Sequence, residues 1–246
     1  MTQPSRTSSL AAERGEPSYV WRAGQERRLA MIDRHAPLTG KTVLEVGCGL
    51  GMYTAEYRKR FGAQVEAFDV ELARVRQAQQ MTPHAIIAAG EAMPYPANVF
   101  DVVINNEVIE HVADDRATAA EMVRVCKPGG RIVTFCPNRW YPVEQHGHYW
   151  RGQYHFGNTP LINYLPDRWR NQLAPHVRVY TRRGLLRLFE GQPVRIVYYT
   201  RIFGGYDNII ARLGTPGRFL RDALHALEHT PLRVLGLSHF LVVEKR

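Results

Sequence analysis

The chain is poor in cysteine and lysine, and it has no long apolar run. Its three cysteines (Cys48, Cys126 and Cys136) are scattered and show no C-x-x-C spacing. They argue against a structural zinc site and suit a reduced compartment, where they read as small buried hydrophobes. No apolar stretch approaches the roughly 20 residues that a membrane-spanning helix needs. The first residues, MTQPSRTSSLAAERGEP, are polar and lack the apolar core of a secretion signal. Residues 1–18 therefore read as a disordered lead-in, and the protein as cytoplasmic. Beyond them there is no internal repeat and no low-complexity tract.

Acidic residues are scarce in one part only. Lys+Arg and Asp+Glu balance at 16 and 16 over residues 1–138 but stand at 16 and 7 over residues 139–246, so the C-terminal part carries the whole net charge of +9. It also holds seven of the ten histidines. Such asymmetry fits attraction to an anionic partner, or equally a genome that favours arginine, since only four of the 32 basic residues are lysine.

At 246 residues the chain suits one large domain with a full core. TVLEV (42–46), QVEAFDV (64–70), HAIIAA (84–89), FDVVIN (100–105) and RIVTFC (131–136) are short runs rich in Val and Ile, as parallel strands buried on both faces should be. Helical segments near 52–61, 72–80 and 115–126 separate them. This rhythm predicts an α/β fold, a Rossmann-like doubly wound, mostly parallel seven-stranded sheet, with ligands at the carboxyl ends of the strands. Residues 138–176 have no clear periodicity and form an inserted lid within a domain running from 19 to 246. A helix near 181–189, a strand at 194–200, an amphipathic helix near 217–229 and a strand at 239–245 make residues 177–246 a basic completion of the sheet. The amphipathic helix carries Phe219, Leu220, Ala223, Leu224 and Leu227 on one stripe and is expected to pack against the sheet. A peripheral membrane contact is the alternative.

LEVGCGLGMY places Gly47, Gly49 and Gly51 on alternate positions after the first strand. Glycine permits positive φ and lets a ligand approach the main chain, while the following helix offers free N–H groups. The dinucleotide fingerprint would need glycine at position 52, which is Met52. Asp69 ends the second strand, where a carboxylate can accept hydrogen bonds from both hydroxyls of a ribose.

The set LEVGCGLG, the acid in AFDV, GEAMPYPANVFDVVI, EHV and KPGG resembles the class I S-adenosylmethionine-dependent methyltransferases, strongly over residues 41–137 and faintly beyond. The resemblance implies that Gly47, Gly49 and Gly51 bracket the methionine and ribose moieties of S-adenosylmethionine. It implies further that Glu45 helps to hold the amino group, Asp69 takes the ribose, and Glu91 with the Gly90 and Ala92 backbone borders the adenine. Asn106 joins this set at the end of the fourth strand. Ala89 stands where relatives often have an acid.

If NNEVIEHV (105–112) opens a helix, Glu107, Glu110 and His111 fall on one face and could bind a divalent metal. E-x-x-E-H resembles the pattern of small-RNA 2′-O-methyltransferases and ubiquinone-pathway O-methyltransferases, in which a metal gathers the acceptor oxygen. The metal is not favoured here, because E-H-V is common in metal-free relatives. EQHGHYW supplies His146 and His148 beyond the fifth strand, and His111, His146 and His148 are the candidates for proton removal or acceptor orientation. Aromatic residues interleaved with histidine and arginine across the lid suit a small-molecule or lipid-like acceptor. RNA is a second candidate acceptor that is not favoured, since no RNA-binding module and no tight Lys/Arg cluster accompanies the domain. A non-catalytic cofactor-binding scaffold is the remaining alternative.

Overall fold

The computed structural model describes residues 20–246, so the expected lead-in at 1–18 lies outside the described residues. Helix α1 (Ala23–His35) precedes the alternating units β1 (Thr42–Val46), α2 (Met52–Phe61), β2 (Gln64–Asp69), α3 (Leu72–Ala78), β3 (Ala85–Ile87), β4 (Phe100–Asn106), α4 (Asp115–Val125) and β5 (Cys126–Pro137). The chain closes with α6 (Arg182–Arg187), β10 (Val194–Ile202), α7 (Asp207–Leu213), α8 (Thr215–Leu227) and β11 (Ser238–Lys245). Seven strands form one sheet in the order β10–β11–β5–β4–β1–β2–β3. β1 to β5 run parallel, and β11 lies antiparallel between β5 and β10.

Side chains on successive strand residues point to opposite faces. Here both faces are covered. Leu44, Val46, Phe68, Val103 and Ile132 pack on the side of α4, with Ala119, Met122 and Val123. Val43, Val65, Val102, Ile104 and Val133 pack on the side of α1, with Leu29, Ile32 and Tyr57. That explains why the strands read as unbroken apolar runs rather than alternating ones. The order of connection reverses between β1 and β4, which pair with Val46 opposite Asn105, so a crevice opens at their carboxyl ends.

The region 138–176 carries small elements of its own. β6 (Val143–Glu144) pairs with β9 (Thr159–Pro160), β7 (His148–Trp150) forms a hairpin with β8 (Gln153–His155), and α5 (Asp167–Leu173) follows. Glu144 and Arg170 bind it together at 3.1 Å with both side chains almost fully buried.

Three expectations are corrected. NNEVIEHV does not open a helix: Glu107 has φ 58°, its N–H donates to the Phe135 carbonyl at 3.0 Å, and the chain turns until α4 begins at Asp115. β5 starts at Cys126 rather than 131, across a break in its register with β4 between Phe100 and Val102. Finally, α8 does not lie on the sheet. Phe219, Leu220 and Ala223 are exposed, Leu224 and Leu227 are half-exposed, and only Gly217 is buried, against Ile209 and Ile210 of α7.

Candidate functional site

The crevice at the carboxyl ends of β1 and β4 widens into a cavity of about 900 Å³. One end is built by the β1–α2 turn. Gly47, Gly49 and Gly51 all adopt positive φ (68°, 54° and 80°), which side chains would resist. A Cβ on Gly47 would stand 2.5 Å from Val108, so the turn has no room for one. Asp69 crosses from β2 to fix this loop. Its Oδ2 accepts from the Gly49 N–H at 3.0 Å and its Oδ1 from the Glu71 N–H at 3.0 Å.

Glu45 lies beneath the loop, buried, and accepts a hydrogen bond from the Thr54 hydroxyl. Burial pushes its pKa up to about 8, against the opposing pull of Thr54, so the carboxyl is largely protonated at neutral pH. Gly90 and Glu91 line the cavity next to Ala89, whereas Ala92 lies outside its wall. The Glu91 carboxylate is already engaged, accepting from the Asp114 N–H at 3.0 Å.

The other end gathers titratable groups from distant parts of the chain. Arg28 of α1 donates to Asn106 Oδ1 at 2.7 Å, to Glu107 Oε1 at 2.6 Å and to the Ser238 hydroxyl at 3.0 Å. Burial alone would raise the pKa of Glu107, but Arg28 and Ser238 outweigh it and hold the carboxylate ionised. Glu110 is the reverse case. Its carboxyl is 1% exposed and both oxygens lack a hydrogen-bond partner among the described residues. Burial and the neighbouring Glu107 charge push its pKa well up.

His111 Nδ1 donates to the His176 carbonyl at 3.2 Å, leaving Nε2 with a free lone pair. Burial and the neighbouring His146 bring its pKa down to about 4, against the opposing pull of the His176 carbonyl, so the ring is neutral. His146 Nδ1 donates to Glu144 Oε1 at 2.8 Å, which likewise frees Nε2. The two imidazoles meet edge to face with centroids 5.3 Å apart. Glu110, His111 and His146 bring ligand-capable atoms within 4.8 Å of one another. Among the described residues Glu107 does not belong to that group; His146 takes the third place. His148 is elsewhere, its Nδ1 3.0 Å from the Thr159 hydroxyl and its ring stacked on His155 in the β7–β8 hairpin, away from the cavity wall.

Residues 44–134 match the family model described as a methyltransferase domain. Malonyl-[acyl-carrier protein] O-methyltransferase of Salmonella typhimurium is 32% identical over 146 residues, covering 51% of this chain and 58% of that protein. Ubiquinone biosynthesis O-methyltransferase of Thiobacillus denitrificans is 34% identical over 119 residues, covering 46% and 51%. The fold matches the S-adenosylmethionine dependent methyltransferase from Mesorhizobium loti with a TM-score of 0.63 at 16% identity, over 91% of this chain and 98% of the other. Residues 44–134 carry a methyltransferase domain, on a fold shared with an S-adenosylmethionine dependent methyltransferase. The chain spans about half the length of the curated relatives it matches.

Several residues on the wall of the cavity left no local trace in the sequence. Arg22, Gln25 and Arg28 come from or border α1, and Phe203 to Gly205 follow β10. Tyr154 and Phe156 arrive from the β7–β8 hairpin and the turn after it. The aromatic composition of 138–176 pointed to that segment, but only the folded contacts show which rings reach the cavity.

Proposed function

We propose that the protein transfers the methyl group of S-adenosylmethionine to an oxygen of a small-molecule or lipid-like acceptor. What carries the reading is one continuous cavity with a side-chain-free loop and a β2 carboxylate at one end and two oriented imidazoles at the other. The donor fits the first end. The Gly47 turn, which a single Cβ would fill, leaves main chain for a bulky nucleoside to lie against. Asp69 is placed to accept from ribose hydroxyls with the oxygen lone pairs that Gly49 and Glu71 leave free. Glu45, ionised, would offset the positive charge of the methionine part. S-adenosylmethionine supplies a methyl carbon on a sulfonium, activated for in-line displacement.

The remaining tasks fall to the protein: to align the acceptor, keep water out and take one proton. An acceptor hydroxyl attacks the methyl carbon, the carbon–sulfur electrons go to sulfur, and the hydroxyl proton goes to Nε2 of His146. Glu144, held ionised in the interior by His146 and, more weakly, by Arg170, stabilises the imidazolium from the other side. His111, held neutral and fixed by the His176 carbonyl, orients the acceptor. Tyr154 and Phe156 provide an aromatic wall for it.

One observation favours a second reading. The unpartnered Glu110 carboxyl with the free Nε2 atoms of His111 and His146 is a donor set suited to a divalent ion, which would hold and polarise the acceptor oxygen. Glu107 does not fit that role, being tied to Arg28 and Ser238. Incubation with methyl-labelled S-adenosylmethionine and a cell extract separated into lipid, small-molecule and RNA fractions tests the proposal, with and without prior chelation. Label in the lipid or small-molecule fraction is expected, and its persistence after exhaustive chelation favours the imidazole base. Label confined to RNA would overturn the acceptor class, and loss on chelation would favour the metal.

A further inference from the structure

The helical hairpin of α7 and α8 and the single turn after it (Pro231–Leu235) present an apolar crest with no cover among the described residues. Leu213 is 55% exposed, Phe219 77% and Leu232 50%, and Leu220, Val234 and Leu235 are exposed beside them. The turn packs against both α8 and β10, so these residues sit on one folded unit rather than on separate projections.

The charges of this unit are sorted. Asp207 faces inward, accepting from the N–H groups of Ala23 and Gly24 at 3.2 and 3.3 Å. Glu228 also faces inward, bound to Arg27 at 2.5 Å and to the Phe203 N–H at 2.7 Å. Asp222 pairs with Arg221. Arg212, Arg218 and Arg233 are exposed and have no acidic partner among the described residues. Acidic groups thus anchor the hairpin to α1, while each of these arginines stands next in sequence to an exposed apolar residue: Arg212 to Leu213, Arg218 to Phe219 and Arg233 to Leu232 and Val234.

We infer that this hairpin docks the protein on an anionic lipid bilayer, with Phe219, Leu213 and Leu220 entering the headgroup region and the arginines meeting the phosphates. An exposed apolar crest edged by arginine has the charge and polarity that such a surface matches. A second copy of this chain would bring like charges together around the same crest. Nucleic acid would pair with the arginines and could stack on Phe219, but would leave Leu213, Leu220, Leu232 and Leu235 without an apolar partner. Phe203, Gly204 and Gly205 just before the hairpin, Asp207 at its start and Leu237 just after the turn line the cavity, so the docking unit is continuous in the chain with the cavity wall. The inference does not depend on the methyl-transfer reading, because lipid binding requires neither donor nor chemistry.

Flotation of the full chain with phosphatidylcholine vesicles, with and without phosphatidylglycerol, tests it. Co-migration is expected only with phosphatidylglycerol and should fade as salt is raised. The double substitution Phe219→Ser, Leu220→Ser should lower partitioning by about tenfold or more. The triple substitution Arg212→Gln, Arg218→Gln, Arg233→Gln should lower it by about a hundredfold. Unchanged thermal melting would show that both variants remain folded. Absence of co-migration by the parent chain, or equal co-migration of the serine variant, would overturn the inference. So would light scattering that finds a dimer dispersed by the serine substitutions, or RNA binding lost in the glutamine variant while lipid binding stays.

Discussion

His146 Nδ1 and Glu144 Oε1 stand 2.8 Å apart, and the carboxylate can only accept, so the ring proton is fixed on Nδ1. Nε2 therefore keeps its lone pair, which is what the proposed role as a base requires. Glu144 itself is held by Arg170, so a residue of β6 and one of α5 jointly position an imidazole at the edge of the cavity.

Replacing His146 with glutamine should lower kcat by about a hundredfold or more, the usual contribution of a positioned general base. Affinity for S-adenosylhomocysteine should be unchanged, since the donor end lies across the cavity. Steady-state rates with the identified acceptor, paired with calorimetry, check both. Equal loss of cofactor affinity would point to a structural role.

The Glu144–Arg170 pair is the most deeply buried ion pair in the region 138–176 among the described residues. Glu144→Ala leaves the Arg170 guanidinium uncompensated and should cost about 3–5 kcal/mol in denaturant unfolding. Adding Arg170→Met should recover much of that loss, because the second substitution removes the stranded charge. The pair also gives a pH dependence. Glu144 has its pKa lowered to about 2 by His146 and Arg170 in spite of burial, so its contribution is complete above the ordinary glutamate range and is lost as pH falls towards 2.

Glu45 gives the opposite sign. Its pKa, raised to about 8 by burial, means that the free protein binds this proton through neutral pH. A cationic donor favours the ionised form, so binding should release a proton and tighten as pH rises towards 8. Calorimetry in two buffers of different ionisation enthalpy measures the release, and Glu45→Gln should abolish it.

Gly47→Ala places a methyl group 2.5 Å from Val108 at a φ of 68°. Cofactor affinity should fall by at least about tenfold. Val108→Ala in the same chain should restore part of it by relieving the contact, leaving only the backbone strain.

Much of this architecture was written in local patterns. Strands buried on both faces need apolar residues at every position, so β1, β2 and β4 stood out within a residue of their ends. The glycine spacing and Asp69 were equally visible, because turn geometry and strand ends are local. What the local pattern could not hold were contacts made across the fold. Arg28 lies in a charged stretch, QERRLAMIDRH, and meets Glu107 and Ser238 only once the sheet is assembled. The turn at Glu107 depends on a hydrogen bond to Phe135 in the neighbouring strand, which helical spacing of Glu107, Glu110 and His111 does not reveal. The stripe on α8 correctly marked an apolar face, but periodicity does not say what covers it.

The Gly47–Asp69 end of the cavity is where S-adenosylmethionine is expected to bind. Titration of S-adenosylhomocysteine into the purified chain by isothermal calorimetry tests this directly. The expected result is one molecule bound per chain, with affinity reduced by about tenfold or more in Asp69→Ala, where a hydrogen-bonded carboxylate is lost. No heat from the parent chain, or identical binding by Asp69→Ala, would contradict it.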